Sequence, residues 1–242
     1  MPKGKRNIQD PLKKFYFENS NVDIDIDIDI SNNISSREIL EIGIDEAGRG
    51  PLFGRVYTAA VILPDDENFD YSLLKDSKKF HSEKKINEVA NYIKENAFAW
   101  SITYNDEKMI DKINIRQSVL SSMHQSIKKI VNESSKEYFL LVDGNDFKPY
   151  MQFKNNMFTP ISHICIEGGD NKYCAIAAAS ILAKVERDNY IKELCEKNPE
   201  LEEKYGIRSN KGYGTKKHLD GIKTHGITEW HRKTYGICKN HV

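Results

Sequence analysis

From residue 40 onward, short apolar runs of strand length alternate with amphipathic segments of helix length. The apolar runs are residues 40–44, 56–63, 98–104, 138–142 and 161–166. Residues 83–97 and 113–131 carry apolar side chains at helical spacing, and residues 171–191 form an Ala-rich helical segment whose small side chains permit close packing on a sheet. Strands that alternate with helices after an initial hairpin predict an α/β fold with a mixed sheet flanked by helices.

Three of these predicted strands end in carboxylates that stand beside glycine. They are Asp45 and Glu46 in GIDEAG, Asp143 in LLVDGN, and Asp170 in EGGD. A single Asp after a strand is commonly a turn or helix-capping residue, but three such sites favour a shared site at one edge of the sheet. Clustered carboxylates repel one another, and a hard divalent cation removes that cost. The pattern therefore predicts Mg²⁺ or Mn²⁺, and two such ions about 3.5–4 Å apart are suited to phosphodiester hydrolysis by water.

Asp188, in KVERD, is the competing fourth acid. It lies about 15 residues into the predicted Ala-rich helix, which at ~1.5 Å per residue is over 20 Å from the start of that helix. This distance predicts that Asp188 is at the wrong end of the helix for a site at the strand ends, and Asp170 is preferred.

Acidic and basic residues are distributed unevenly along the chain. Residues 15–46 contain nine acids and one base, whereas residues 208–242 contain eight Lys and Arg, two acids and four His. We predict a low-complexity, flexible extension over 1–36, a catalytic domain over 37–198 and a basic helical segment over 199–242. The Asp-Ile repeat in the extension has strand periodicity, but same-side Asp residues about 6.7 Å apart do not converge on one ion.

Other features place limits on the class of protein. No run approaches ~18 apolar residues, and the N-terminal residues lack the apolar core of a secretory signal. The four cysteines form no CxxC pair, so they are expected to be reduced thiols rather than zinc ligands. We expect a cytoplasmic monomer.

Six segments of the chain resemble, in order, the motifs of the bacterial ribonuclease HII family. They are GIDEAGRGPLFGRVYTAAVIL, LKDSKKFHSEKK, DKINIRQSVLSSMHQSI, LLVDGN, GGDNKYCAIAAASILAKVERD and NKGYGTKKHLDGIKTHGITEWHR. The resemblance implies an RNase H-like fold with a C-terminal helical segment. It also implies endonucleolytic cleavage of RNA in RNA/DNA hybrids and 5′ of single ribonucleotides in duplex DNA, as ribonucleotide excision repair requires, leaving 3′-hydroxyl and 5′-phosphate ends.

The resemblance also implies roles for particular residues. Asp45, Glu46, Asp143 and Asp170 would hold two metal ions. The turn of Gly48, Arg49 and Gly50 would read the ribose 2′-hydroxyl, which distinguishes RNA from DNA, and Tyr213 would sense the RNA-to-DNA junction. The alternative for Tyr213 is an ordinary surface tyrosine.

Lysines near these motifs are suited to phosphate contacts. Lys75, Ser77, Lys78 and Lys79 stand in KDSKK, and Lys184 lies one helical turn from Ser180. Without the resemblance, KDSKK reads as a solvated turn.

The chain departs from the family pattern in three places. The extension has no counterpart, KGYG replaces the commoner KGYP, and FKPYMQFKNNMF lengthens the interval between Asp143 and Asp170. The insert is expected to alter the loop near the site.

Two alternative functions remain open. A junction resolvase or integrase of similar fold would ignore a single ribonucleotide, and a metal-free hybrid-binding protein would cleave nothing.

Overall fold

A mixed five-stranded sheet forms the centre of the protein. The computed structural model describes residues 11–17, 39–131, 136–154 and 156–241. The strands are β1 (Ile39–Ala47), β2 (Val56–Ile62), β3 (Ala99–Asn105), β4 (Glu137–Asp143), β5 (Met151–Lys154), β6 (Met157–Pro160) and β7 (Ser162–Ile166). The sheet order is β3-β2-β1-β4-β7, while β5 and β6 form a separate hairpin. Strands β1, β4 and β7 are parallel neighbours, so their carboxyl ends lie at one edge.

Helices cover both faces of this sheet and extend the fold at the C-terminus. They are α1 (Glu83–Asn96), α2 (Glu107–Ile130), α3 (Cys174–Lys197), α4 (Glu200–Tyr205), α5 (Ile207–Asn210) and α6 (Lys216–His225). Ser82, Asp106 and Thr215 cap α1, α2 and α6 by accepting hydrogen bonds from main-chain amides of the first turn. The prediction of a mixed sheet flanked by helices, with a C-terminal helical segment, is confirmed.

Strand β2 is buried on both faces, which explains its continuous apolar sequence. Tyr57, Ala59 and Val61 pack with α1 and α3, whereas Ala60 and Ile62 pack with α2 on the other face. Alternate residues of a strand point to opposite faces, so one apolar run joins two cores.

Gly43 of β1 allows the Ala-rich helix α3 to approach the sheet closely. A Cβ at Gly43 would lie 2.1 Å from the carbonyl carbon of Ala175. This close packing was expected from the small residues of α3, and it holds the first turn of α3 against the middle of β1.

Helix α2 begins earlier than the sequence pattern predicts. It starts at Glu107 rather than residue 113, because Asp106 caps its first turn. Asn114 has a φ of 65° within it, so the helix is kinked where the predicted helix would begin. The pattern missed the first turns because the kink breaks the helical period there.

Part of the predicted N-terminal extension packs on the domain. Lys13 pairs with Tyr173 in an isolated β-bridge, and Tyr16 stacks on Phe139 with ring centroids 5.5 Å apart. The carboxylate of Glu41 accepts the amide hydrogens of Tyr16 and of the next residue. Residues 11–17 therefore contact the sheet, whereas the Asp-Ile repeat lies outside the described residues. The division into three domains stays a prediction.

The FKPYMQFKNNMF insert was expected to alter the loop near the site, and that effect stays a prediction. Most of the insert forms the β5–β6 hairpin, and Lys154 pairs with Glu137, the first residue of β4. Asp143 is the last residue of β4, so the paired end of the hairpin lies about 20 Å from the site edge. Within the described ranges, no helix combines the length and the apolar character that a membrane span requires.

Candidate active site at the strand ends

The predicted acids lie at the carboxyl ends of neighbouring parallel strands. Asp45 and Glu46 belong to the last residues of β1, and Asp143 ends β4. Asp170 lies in a 3₁₀ turn, Gly169–Asn171, shortly after β7. Asp45 is 5% exposed and Asp170 is 4% exposed. The fold thus brings four acids from three sequence segments to one edge of the sheet.

Main-chain hydrogen bonds fix two of these carboxylates. Oδ1 of Asp45 accepts from the amide of Glu46 at 2.6 Å, and Oδ1 of Asp143 accepts from the amide of Gly169 at 2.7 Å. A Cβ on Gly169 would lie 2.5 Å from Cδ1 of Ile176. Glycine is therefore needed to bring the Asp170 turn against Asp143.

Burial and mutual repulsion disfavour the charged forms of these acids. Burial raises the pKa of Asp45 well above its ordinary value, and the charges of Glu46 and Asp143 raise it further. Burial also raises the pKa of Glu46, where Arg49 opposes the shift and Asp143 adds to it. The pKa of Asp170 is raised by burial and by the nearby carboxylates of Asp76 and Asp143.

Two cations partly neutralise the acids. Nη1 of Arg49 lies 3.6 Å from Oε1 of Glu46, and Nζ of Lys78 lies 3.8 Å from Oδ2 of Asp170. Both cations are largely exposed, so their charge is screened by solvent. The acids keep a net negative environment that attracts further cations.

The donor chemistry of the site fits a hard divalent cation. The predicted donors are all carboxylate oxygens, which Mg²⁺ and Mn²⁺ prefer. Within the described ranges, no three His, Cys, Asp or Glu side chains already lie close enough together to hold one ion. The fold thus brings the acids into one neighbourhood, and their role as metal ligands stays a prediction.

A cleft of about 280 Å³ joins three of the acids to the predicted substrate-binding residues. Its walls include Asp45, Glu46, Asp143, Gly48, Arg49, Gly50, Ser77, Lys78, Lys184 and Tyr213. Gly50 and Tyr213 face each other, because a Cβ on Gly50 would lie 3.5 Å from Cε1 of Tyr213. Asp170 reaches this cleft through its contact with Lys78.

Two of the predicted phosphate-binding residues, Lys75 and Lys79, do not line the cleft, and Lys79 hydrogen-bonds Asn171. The ammonium of Lys75 lies 4.4 Å from the ring centre of Phe80. Ser77 instead contacts α3, with its Oγ 3.0 Å from that of Ser180. The KDSKK segment therefore faces the cleft through Ser77 and Lys78.

Asp188 lines the cleft, so the prediction that it lies at the wrong end of the helix for the site is wrong. Helix α3 lies along the cleft, so residues from Ser180 to Asp188, about 12 Å apart on the helix axis, line it together. Oδ2 of Asp188 pairs with Nζ of Lys184 at 2.9 Å, which leaves that acid with its own cation. Sequence spacing gave the distance along the helix but not the direction of the helix.

Two arginines behind the cleft were not predicted from the sequence. Arg187 is 3% exposed and Arg232 is fully buried, and both donate to main-chain carbonyls near the Gly-Arg-Gly turn. The signal available was an arginine inside the Ala-rich helix, and a second in the last matching motif, EWHR.

Comparison with known proteins gives one consistent family. The family model described as Ribonuclease HII matches residues 42–238. Ribonuclease HII of Parabacteroides distasonis is 44% identical over 198 residues, covering 82% of this chain and 90% of that protein. Ribonuclease HII of Bacteroides fragilis strain ATCC 25285 is 42% identical over 202 residues, covering 84% of this chain and 92% of that protein.

Solved structures show the same fold at lower identity. The ribonuclease H2 of Pyrococcus horikoshii OT3 is 22% identical with a TM-score of 0.62, covering 83% of this chain and 95% of that one. RNase HII in the PCNA:RNase HII complex of Archaeoglobus fulgidus is 23% identical with a TM-score of 0.63, covering 81% and 95%. Bst-RNase HIII in complex with Mn²⁺ is 15% identical with a TM-score of 0.53, covering 77% and 70%. The RNase H-like fold is confirmed.

Proposed function

Because the chain belongs to the ribonuclease HII family and is a ribonuclease H endonuclease acting on RNA/DNA hybrids, we propose that it also nicks duplex DNA 5′ of single ribonucleotides. The products would carry 3′-hydroxyl and 5′-phosphate ends. A nick at that position is the first reaction needed to excise the ribonucleotide. The two alternatives considered from the sequence, a resolvase and a metal-free binding protein, do not fit this family.

One observation carries the proposal: acids and candidate ribose-reading residues share a cleft. Asp45, Glu46 and Asp143 line it together with the Gly-Arg-Gly turn and Tyr213. A phosphodiester beside the acids would place its sugar near Gly48–Gly50. This proximity supports cleavage next to a recognised ribose.

The four acids would hold two divalent cations, Mg²⁺ or Mn²⁺. When bound, such ions supply an activated water and stabilise charge on the departing 3′-oxygen. Asp143 is held by the amide of Gly169, and Asp45 by that of Glu46, so both carboxylates are oriented before substrate arrives. The solved Bst-RNase HIII complex with Mn²⁺ is consistent with a divalent cation in this fold.

The Gly-Arg-Gly turn would read the 2′-hydroxyl through its main chain. Gly48 has a φ of +95°, and a Cβ there would lie 2.2 Å from Nε of Arg187, so glycine lets the turn pack against Arg187. Gly50, opposite Tyr213, carries no side chain that would keep a sugar away from the amides and carbonyls of the turn. Tyr213 is half exposed opposite Gly50 and is available to stack on the next sugar. This arrangement supports reading two successive nucleotides at once.

Lys78 and Lys184 would contact phosphates along the scissile strand. Both line the cleft, and Ser77 between Lys78 and α3 offers a hydroxyl. Lys75 lies outside the cleft, so any phosphate it contacts is farther along the strand. The resulting affinity should fall as salt concentration rises.

Asp143→Asn tests the catalytic role of the acids. We expect the rate of hybrid cleavage in Mg²⁺ to fall by about 10³-fold or more, since several kcal/mol of charge stabilisation is lost. Binding of the hybrid, measured by fluorescence anisotropy, should change by less than about threefold because phosphate contacts remain.

Asp146→Asn is the matched control, because Asp146 is three residues away and pairs with Arg116 outside the cleft. It should retain wild-type cleavage. If Asp143→Asn cleaved as fast as the wild-type protein, the assignment of the acids would be wrong.

A further inference from the structure

The buried side chain of Arg232 hydrogen-bonds most of the main-chain carbonyls of the Gly48–Arg55 loop. Nε of Arg232 donates to the carbonyl of Gly54 at 2.8 Å. Nη1 donates to Arg49 and Pro51, and Nη2 donates to Gly48 and Arg55, at 2.6–3.2 Å. A single planar guanidinium therefore holds five carbonyls of the loop that contains the Gly-Arg-Gly turn.

A second buried arginine joins this loop to the loop of Tyr213. Nε of Arg187 donates to the carbonyl of Arg55 at 3.2 Å, and its Nη2 donates to that of Lys211 at 2.9 Å. A main-chain hydrogen bond of 2.9 Å also runs from Leu52 to Gly212. The Gly48–Arg55 loop and the Lys211–Gly214 loop are thus connected directly.

A pair of buried histidines connects the Arg232 segment to Tyr213. The amide of Thr228 donates to Nδ1 of His231, so Nε2 of neutral His231 carries the proton and donates to Nε2 of His218 at 3.1 Å. Nδ1 of His218 then donates to the carbonyl of Tyr213 at 2.9 Å. Burial lowers the pKa of His231 to about 3 and also lowers the pKa of His218, which agrees with two neutral rings.

In the described part of the chain, neither Arg187 nor Arg232 forms an ion pair with a carboxylate, the usual partner of a buried cation. Among the described residues, the arginines in ion pairs are Arg49, Arg116 and Arg208. Burying a guanidinium without a carboxylate is costly, and an apolar side chain of similar volume commonly gives a more stable core. The bonds to loop carbonyls therefore point to a role in fixing the loops rather than in stability alone.

We propose that Arg232 and Arg187 are positioning residues for ribonucleotide recognition. They hold the Gly48–Arg55 loop and the Lys211–Gly214 loop in one fixed relation, so that reading the ribose and contacting the next nucleotide occur as a unit. The inference rests on the proposed function, because it assigns these two loops to the substrate. The inference adds that recognition of the ribose and contact with the next nucleotide are coupled through the protein.

Arg232→Lys tests this role. Lysine keeps the charge but places its donors on one nitrogen, which cannot span five carbonyls. We expect kcat/KM on a duplex with one ribonucleotide to fall by about 30-fold, in line with small displacements of positioning groups. On a continuous RNA/DNA hybrid kcat/KM should fall by only about threefold. Every nucleotide of the RNA strand carries a ribose there, and no RNA-to-DNA junction has to be recognised.

A double-variant comparison tests the coupling. In the wild-type protein, Tyr213→Phe should lower cleavage at a single ribonucleotide by about tenfold, and in the Arg232→Lys background by less than about twofold. Independent effects that multiply would overturn the coupling. An equal loss on both substrates would show that Arg232 serves stability alone and would also overturn it.

Tyr235→Phe provides a variant with little risk to folding. Tyr235 donates from its hydroxyl to the carbonyl of Arg49 at 3.1 Å, so its loss removes one tether of the same loop. The preference for the single-ribonucleotide duplex should fall by about threefold. Tyr92→Phe, which removes one bond to the amide of Asp70, is the matched control and should change nothing.

These experiments distinguish failure of the positioning role from failure of the proposed function. If circular dichroism shows that Arg232→Lys is unfolded, Tyr235→Phe becomes the test. A Tyr235→Phe variant with an unchanged preference for the single-ribonucleotide duplex would overturn the proposal. If the wild-type protein cuts hybrids but not the single-ribonucleotide duplex, the proposed function fails instead.

Discussion

Asp45 is a buried carboxyl group placed beside other acids, which is an unfavourable arrangement in the absence of a cation. Burial is the main reason that its pKa is raised, and Glu46 and Asp143 add to the effect. A raised pKa in the folded state means that the folded protein binds this proton more tightly than the unfolded chain does. The associated stability is present below the unfolded pKa of about 4 and is lost as pH rises through the folded pKa.

Asp45→Asn should therefore stabilise the metal-free protein at neutral pH. We expect a rise in Tm of about 2–4 °C, corresponding to about 1 kcal/mol. The difference from the wild-type protein should grow with pH and vanish near pH 3–4. Thermal unfolding in EDTA at several pH values measures it, and the exposed Asp65→Asn is the control. A lower Tm at pH 7–8 would contradict this account of the site.

Gly43→Ala should separate β1 from α3. Its Cβ would lie 2.1 Å from the main chain at Ala175, where no flexible side chain can move aside. We expect a loss of about 1–3 kcal/mol in the free energy of unfolding. Gly214→Ala, whose nearest contact would be 3.4 Å, should be neutral or stabilising by up to about 1 kcal/mol. Urea denaturation distinguishes them, and equal stability would contradict the close packing.

At the scale of elements, the segment of residues 11–17 extends the domain beside the Asp170 turn. Lys13 exchanges main-chain hydrogen bonds with Lys172 and Cys174, which flank the start of α3. The buried carboxylate of Glu41 holds the next part of the segment by its amides. The docked segment thus covers the end of β1 that is remote from the site, and it also contacts the turn that carries Asp170.

Glu41→Gln should weaken this docking. The amide group offers one acceptor oxygen and turns donors toward the main-chain amides of Tyr16 and Phe17. We expect a loss of about 1–3 kcal/mol in stability, the usual effect of unsatisfied buried groups. Glu137→Gln on β4 removes an exposed pair with Lys154 and should cost less than about 1 kcal/mol. Comparable losses for both variants would show that the segment is not held through Glu41.

At the scale of the whole molecule, local sequence predicted the helices and strands, whereas the way they pack depends on long-range contacts. Strand-length apolar runs and adjacent acids gave the sheet and the edge at which Asp45, Asp143 and Asp170 meet, because parallel strands end together. The position of Asp188 was missed, because its distance from the site depends on how α3 crosses the sheet.

The buried arginines could not be found from local patterns. Arg232 bonds residues that lie 177–184 positions away in the chain, and a buried arginine has the same sequence signature as an exposed one. Docking of residues 11–17 was likewise missed, since their partners include Glu41, which looks like a surface residue. The β5–β6 hairpin was recognised as an insert, but its position beside the start of β4, where Lys154 pairs with Glu137, could not be read from local sequence.

The most direct test is cleavage of two end-labelled duplexes in Mg²⁺, identical except that one contains a single ribonucleotide. We predict one cut, on the 5′ side of the ribonucleotide, with no cut at the same position in the all-DNA duplex. Equal cutting of both duplexes would mean that the cleft does not read the ribose hydroxyl, and would contradict the account of acids and ribose-reading loop as one site.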